Sequence, residues 1–251
     1  MTSSPIPRVL GTFQKRRVKA LLMGGQACIL YGGAEFSRDI GFAIAIDERS
    51  LHRLNAALAN LRAEPIDVPL LAREPLLAGH ACHFRCMAPG LNKLRIDVMH
   101  RLRGAPPFET MWRRRRRVAV PGVGTVNVMT VEDLAAVKKT QRDKHWPMIR
   151  KLIEADVTRA RRHTATKVQF WLLACRTPEV LVSLTQQHLA TARKVARQRP
   201  LLRHAVAGDL LRVAKELRAE EDRERELDRE YWRPLRAELE RLRHERRDLA
   251  T

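Results

Sequence analysis

The feature that most constrains this chain is a stretch of two-residue alternation close to its start. Over residues 36–47 (FSRDIGFAIAID), bulky apolar side chains recur at every second position from Ile40 to Ile46, with small or polar residues between them. A period of two places these two sets on opposite faces of a β-strand. Residues 93–100 (KLRIDVMH) alternate in the same way. The sequence therefore predicts two strands, each with one apolar face and one small or polar face.

Helix signals surround these strands. Residues 1–12 favour a loose start, and residues 13–30 favour a helix interrupted at Gly24 and Gly25. Thr130 is a good N-cap, with Asp133 in a capping-box-like position three residues later. We further predict helices over 48–61 and 131–141 and another after Pro147, a short strand near 81–87, a polar loop over 101–117 and a hairpin over 118–128.

Beyond about residue 160 the pattern is helical throughout. Residues 208–249 form a long charged stretch interrupted by Pro234, which predicts two helices or one kinked helix. We therefore predict an α/β fold, a mixed sheet with flanking helices followed by an all-helical C-terminal region. The expected domains are residues 1–155 and 156–251.

Charge narrows the class of partner. The chain carries a formal net charge of +20, yet residues 205–251 hold 12 Lys and Arg against 13 Asp and Glu. The basic excess thus belongs to residues 1–204 and favours a polyanion such as nucleic acid or nucleotide phosphates. An arginine-rich coding bias is the alternative. Four cysteines, no signal sequence and no apolar run of about 20 residues predict a cytoplasmic protein with no membrane partner.

The sharpest local pattern joins two glycines to two carboxylates. Gly24 and Gly25 end an apolar run, Asp39 begins the first predicted strand, and Asp97 lies on the polar face of the second. Glycine lets a backbone approach a phosphate closely, and carboxylates on neighbouring strands can hold Mg²⁺ against a nucleoside triphosphate. This chemistry needs about three carboxylates when two ions take part.

These residues resemble the minimal nucleotidyltransferase fold, and most closely the bacterial nucleotidyltransferase-like proteins that include toxins of toxin–antitoxin systems. The resemblance covers roughly residues 15–155 and includes a basic stretch after the sheet. It implies transfer of a nucleoside monophosphate from an NTP to a hydroxyl of RNA or protein, with Mg²⁺ on Asp39 and Asp97. The residues that it places at the triphosphate are Gly24, Gly25, Ser37, Arg38, Lys138 and Arg142. For Lys138 and Arg142, a merely solvated helix face is the alternative.

The chain departs from the family's pattern at one position. The family has a second carboxylate two residues after Asp39, where this chain has Gly41. Two carboxylates hold one Mg²⁺ weakly and suit a two-ion displacement poorly. We therefore expect Mg²⁺ to be weak or absent and transfer to be impaired by orders of magnitude. Natural loss of activity, deliberate removal of a toxic activity and compensation by Glu35 are all open.

Two further clusters bear on function. Five consecutive arginines are expected in an exposed loop, where they favour contacts with RNA phosphates over a merely solvated surface. His80, Cys82, His83 and Cys86 lack the spacing of a zinc site and are interpreted as ordinary strand or loop residues. The nucleic-acid-binding candidates are Arg113, Arg114, Arg115, Arg116 and Arg117.

Three function hypotheses follow. The first is a nucleotidyltransferase that uses an NTP and an RNA acceptor such as tRNA. The second is a catalytically silent nucleotide- or nucleic-acid-binding module that has kept the fold and the basic surface. The third is an interaction protein that binds a cognate antitoxin, or another protein, through its charged C-terminal helices.

Overall fold

A computed structural model of the chain describes residues 4–248. Seven strands form one sheet: β1 (Ala20–Met23), β2 (Asp39–Ile44), β3 (Ala63–Pro65), β4 (Cys82–Cys86), β5 (Arg95–Met99), β6 (Arg116–Val120) and β7 (Gly124–Val128). The helices before and among the strands are α1 (Ile6–Lys15), α2 (Gly24–Leu30), α3 (Glu48–Asn60), α4 (Arg73–Ala78) and α5 (Phe108–Arg114). Those that follow the sheet are α6 (Val131–Val137), α7 (His145–Arg159), α8 (Ala165–Ala174), α9 (Pro178–Gln187), α10 (Leu189–Val195), α11 (Leu202–Val206) and α12 (Leu210–Asp248).

The strand order across the sheet is β3-β4-β5-β2-β1-β7-β6. Strands β2 and β5 are parallel, as are β1 and β7, whereas the other neighbouring pairs are antiparallel. The predicted mixed sheet, its flanking helices and the helical region that follows are confirmed. Because β1 ends where β2, β5 and β6 begin and where β7 ends, loops from several strands meet at one end of the sheet.

The central strand β1 corrects the prediction of an interrupted helix over residues 13–30. All four of its residues, Ala20 to Met23, are buried, because β1 lies between β2 and β7 with both faces covered. A strand covered on both faces shows no alternation, so its apolar run is indistinguishable from a helix segment. The predicted loose start is also wrong in part, since α1 begins at Ile6 and buries Val9 and Phe13.

Several local predictions are confirmed. The alternating stretch contains β2, the second contains β5, and β6 and β7 form the predicted hairpin. Thr130 caps α6 by accepting a hydrogen bond from the backbone N–H of Asp133. The predicted loop over 101–117 is wrong in part: Phe108 and Met111, three residues apart, are buried by α5.

The last helix returns across the α/β part of the chain. Helix α12 has 39 residues, roughly 60 Å at the α-helical rise, and contains Pro234 without ending there. Its Glu238 contacts the buried His80, and Arg243 pairs with Asp67. No helix between residues 4 and 248 is both long and apolar enough to cross a bilayer.

Candidate nucleotide site

The paired glycines lie against the segment that leads into β2. Gly24 opens α2 with a positive φ of 71°, a conformation that favours glycine. A Cβ on Gly25 would lie 2.3 Å from the Ser37 Oγ, so the bare Cα lets Ser37 pack against the start of the helix. The Ser37 hydroxyl also donates to the Asp39 carboxylate, at 2.8 Å. The structure therefore brings Gly24, Gly25, Ser37 and Asp39 together, as predicted.

Gly41 faces Asp97 directly across the parallel strands. In the register of β2 and β5, Asp39 is opposite Arg95 and Gly41 is opposite Asp97. Asp39 and Asp97 are thus diagonal neighbours, with Cα atoms about 8 Å apart from strand spacing and rise. A side chain at position 41 would stand between them on the same face. The one position that would join the two carboxylates has no side chain.

The Asp97 carboxylate already has side-chain partners in the protein. Its Oδ1 accepts from the His83 Nδ1 at 2.7 Å and from the Arg95 Nε at 2.6 Å. Burial raises the pKa of Asp97, but the hydrogen bonds from His83 and Arg95 outweigh it and hold the pKa below its ordinary value. The charge that a Mg²⁺ ion would balance is therefore balanced by Arg95, with His83 hydrogen-bonded to the same oxygen.

The residues present do not fit a two-ion magnesium site. Between residues 4 and 248, no group of three or more His, Cys, Asp or Glu is placed to hold a metal. Glu35, the candidate for compensation, is 87% exposed and accepts from the Lys151 Nζ at 3.0 Å. Asp47 caps α3 at the opposite end of β2. Asp39 and Asp97 are the carboxylates that β2 and β5 contribute to this face, and one of them is engaged.

Lys138 supplies a buried positive charge at this end of the sheet. The residue is 4% exposed, and its ammonium donates only weakly, to the Met148 Sδ at 3.6 Å. Burial lowers the pKa of Lys138, while the nearby Cys28 and Asp39 raise it. A buried ammonium without a carboxylate hydrogen-bond partner is costly, so an anion that reached it would gain a strong contact.

Helix α12 fixes the loop that follows Lys138. The Asp228 Oδ2 accepts from the backbone N–H of Gln141 at 3.0 Å, and the Arg225 NH1 donates to the Gln141 carbonyl at 3.1 Å. Arg142 is exposed on this loop, and Arg38 is exposed beside Asp39. Arg38 and Arg142, the two predicted phosphate contacts, are therefore accessible to a ligand. Helix α12 positions Arg142 by holding its loop.

The five arginines do not form the solvated loop that we expected. Arg114 pairs with the Asp133 carboxylate, which is 1% exposed, and Arg115 donates to the Asn127 Oδ1 at 3.0 Å. These two side chains hold α5 and β7 in place. Arg113, Arg116 and Arg117 are exposed, and their contact with phosphates stays a prediction.

His145, which follows the loop that carries Arg142, is expected to make the stability of the fold depend on pH. Burial and the charges of Lys138 and Arg142 lower the pKa of His145 to about 3. Below its unfolded pKa of about 6.5 the unfolded chain binds a proton that the folded chain does not, so folded stability falls as pH drops from 6.5 towards 3. We expect the free energy of unfolding, measured with urea, to fall between pH 7 and pH 5. This fall should be about 1–2 kcal/mol smaller in His145→Gln than in wild type.

An exposed histidine provides the matched control. His52 lies on the exposed face of α3, and His52→Gln should leave the drop between pH 7 and 5 unchanged. An equal drop in wild type and His145→Gln would contradict the assignment of a buried neutral imidazole.

Sequence reasoning missed the groups that hold this site in place. His83 was dismissed with a cysteine cluster, yet it lies opposite Asp97 in the β4–β5 register. The alternation of β5 does place Arg95 on the same face as Asp97, which was the available signal. Asp228 and Arg225 carried no such signal, because their contact with residue 141 spans more than 80 positions.

Two solved structures resemble this chain, with low structural and sequence similarity. A crystal structure described as a “putative nucleotidyltransferase from H. pylori” matches with a TM-score of 0.42 and 15% identity, over 87% of this chain and 94% of that chain. The crystal structure of JHP933 from Helicobacter pylori matches with a TM-score of 0.35 and 14% identity, over 93% and 94%. No protein-family model and no curated protein matches the chain. At these scores the function has to be argued from the site.

Proposed function

We propose that this chain binds a nucleoside triphosphate on a nucleotidyltransferase-like frame and that its transfer activity is strongly impaired. The observation that carries the proposal is the place of Gly41, opposite Asp97 and two residues from Asp39 on one face. The glycines, the carboxylates and the buried lysine of the nucleotidyltransferase pattern stand at one end of the sheet. One ligand position of that pattern is empty of any side chain.

In this proposal, the triphosphate contacts both the backbone and basic side chains. Gly24 leaves open space where a Cβ would stand, so a phosphate can approach the backbone there. Lys138 contributes a buried charge and Arg142 an exposed one. Asp39, held by Ser37, faces the same space and would orient the hydroxyl or metal end of a ligand. Phosphoryl transfer depends mainly on positioning and charge neutralisation, and this site retains positioning with incomplete neutralisation.

The proposed acceptor, where transfer occurs, is RNA. Arg113, Arg116 and Arg117 are exposed, and β6 begins at Arg116 at the end of the sheet where β1 and α2 meet. Guanidinium groups at that position favour phosphate contacts. Helix α12 packs on its own chain through Leu217 and Leu235, which favours this account over an antitoxin-binding arm.

Lys138→Met is expected to weaken triphosphate binding at least about tenfold, because the buried charge-assisted contact is worth about 1.5–3 kcal/mol. Stability should not fall, because the substitution replaces a buried charge with an apolar side chain of similar length. Isothermal titration with ATP, and with the other three NTPs, measures the affinity, and urea unfolding measures the stability.

Lys144→Met is the matched control for this experiment. Lys144 is an exposed lysine six residues further along the same segment, so its loss should change affinity no more than about threefold. Undetectable binding of all four NTPs by the unmodified chain, or equal loss in both variants, would sink the proposed triphosphate site.

A further inference from the structure

We infer that a groove between α1 and α5, separate from the candidate nucleotide site, binds single-stranded nucleic acid. The groove has a volume of about 450 Å³, within the range of ordinary ligand pockets. It opens near the start of β1, whereas the candidate nucleotide site lies at the end of that strand. Its binding can therefore be tested without any nucleoside triphosphate.

The floor and one wall of the groove are apolar and partly aromatic. Phe13 of α1 stacks on Phe42 of β2 with ring centroids 4.3 Å apart, and Val126 completes the floor. Trp112 of α5 lines the opposite side and is only partly buried. Phe13 and Phe42 are only 4% and 2% exposed, so Trp112 is the aromatic side chain of the groove that is placed to contact a nucleobase, without reading its sequence.

The rim of the groove is cationic. Arg17, Lys19 and Arg53 line it, and among the described residues that line it there is no carboxylate. Two acids lie near the rim: Glu109 is bound to the Lys19 Nζ at 2.6 Å, and the charge of Lys19 also acts on Asp47. The Arg53 NH1 donates to the Arg17 carbonyl at 3.3 Å, which holds the two arginines side by side. Adjacent cations over an apolar floor suit a ligand that alternates phosphates with aromatic rings.

Trp112 links this rim to the arginine run. The Arg115 guanidinium lies 4.1 Å from the centre of the Trp112 ring, and the Lys19 ammonium lies 5.6 Å from it. Arginine and tryptophan stacked in this way form a platform that is both flat and positive. Arg115 is held there by Asn127, so the platform is ordered before any ligand arrives.

The end of the sheet that carries the glycines is about one strand length from the groove, along the buried strand β1. Arg116 pairs with Val128 in β7, and Val128 pairs with Leu22 in β1, two residues before Gly24. From Lys19 to Met23 the backbone advances about 13 Å at strand rise. The groove's own cations, Arg17, Lys19 and Arg53, exceed what a single phosphate needs, which favours a strand over a mononucleotide.

Fluorescence anisotropy with a labelled ten-nucleotide oligo(U) RNA and an oligo(dT) DNA tests the inference on the full chain. Arg17→Gln/Arg53→Gln should weaken binding of both at least tenfold. It should also reduce the slope of log K against log salt by about 1.4, because each lost phosphate contact on a single strand contributes about 0.7. Trp112→Leu, which keeps the apolar contact and removes the ring, should weaken binding several-fold.

Arg161→Gln/Arg162→Gln is the matched control, with two exposed arginines between α7 and α8, and it should bind within twofold of wild type. Equal weakening by both double variants would overturn the inference, because it would mean diffuse attraction to a basic protein. Full displacement of the RNA by UMP at the affinity of the oligonucleotide would also overturn it. Lys138→Met should bind the oligonucleotides normally, so failure at the nucleotide site and failure at the groove are distinguishable.

Discussion

Gly41→Asp is expected to raise Mg²⁺-dependent nucleotide transfer by about 10²–10³-fold, the scale of restoring one missing electrostatic stabiliser. The new carboxylate would stand two residues from Asp39 on one strand and opposite Asp97 on the next. Three carboxylates would then share one face, as a two-ion site requires, with Asp97 exchanging its contact with Arg95 for one with the metal. A radiolabelled-NTP assay with total tRNA, run with each NTP, measures the rate in both forms.

The structure has room for this side chain. A Cβ on Gly41 would meet the Met23 Cγ at 3.5 Å and the Met23 Cε at 3.6 Å, which is ordinary van der Waals contact with a flexible neighbour. Replacing a glycine within a strand also removes an entropic cost of folding. The Cβ of Gly41→Asp should therefore fit without moving the backbone, and urea unfolding measures what the added charge costs at this buried position.

Gly41→Asn is the matched control, because it adds the same volume without the charge. The account expects it to remain as slow as the unmodified chain. Equal labelling by the unmodified chain and Gly41→Asp would mean that another group supplies the ligand, with Glu35 the first to test. Labelling by neither form would contradict the transferase reading and leave nucleotide or nucleic-acid binding as the activity.

Glu220→Ala is expected to lower the free energy of unfolding by about 3–5 kcal/mol, the cost of leaving buried charges unpaired. Its Oε2 accepts from the Arg176 NH1 at 2.6 Å and from the Arg199 NH2 at 2.8 Å. The two arginine side chains are 3% and 5% exposed. Without the carboxylate, two buried guanidinium groups would lose the acceptor that they share.

The same carboxylate joins α12 to the helices that precede it. Arg199 also donates to the carbonyls of Leu172 and Cys175, at 2.7 and 3.0 Å, so Glu220 anchors α12 to a cation that is itself fixed by α8. The arginines hold the pKa of Glu220 below its ordinary value, although burial raises it. The carboxylate is thus ionised at neutral pH and stabilises the fold there.

Glu226→Ala provides the comparison for Glu220→Ala on the same helix. Glu226 pairs with Arg229 on the outer surface, with side chains 53% and 48% exposed, and such pairs are worth about 0–1 kcal/mol. Urea unfolding of the two variants should separate them by at least about 2 kcal/mol. Equal losses would contradict the claim that the Glu220 cluster is structural.

The alternation in the sequence predicted which face of the sheet carries the candidate carboxylates. Asp39, Gly41 and Asp97 share one face because a period of two fixes orientation locally. The pairing of Gly41 with Asp97 could not be predicted, because it depends on which strand lies beside β2 and in what register. Strand β1 was missed for the opposite reason: its residues are buried on both sides and carry no period.

The contacts that the C-terminal region makes with the rest of the chain could not be predicted from the sequence. The charged stretch was predicted as two helices or one kinked helix, whereas the structure has one helix that continues through Pro234. Leu217 and Leu235 belong to its apolar stripe, as predicted. That Asp228 would accept from the backbone of residue 141 depends on how α12 returns across the chain. The roles of the five consecutive arginines were equally unpredictable. The sequence does not distinguish Arg114, which pairs with Asp133, from its neighbour Arg116, because their partners depend on the fold.

Mn²⁺ binding measured by electron paramagnetic resonance, with a non-hydrolysable triphosphate present, tests most directly whether Gly41 is the missing ligand position. The account predicts that Gly41→Asp binds Mn²⁺ at least tenfold more tightly than the unmodified chain, and that Gly41→Asn does not. Equally tight binding by the unmodified chain and Gly41→Asp would contradict it, because a complete metal site would then exist without a side chain at position 41.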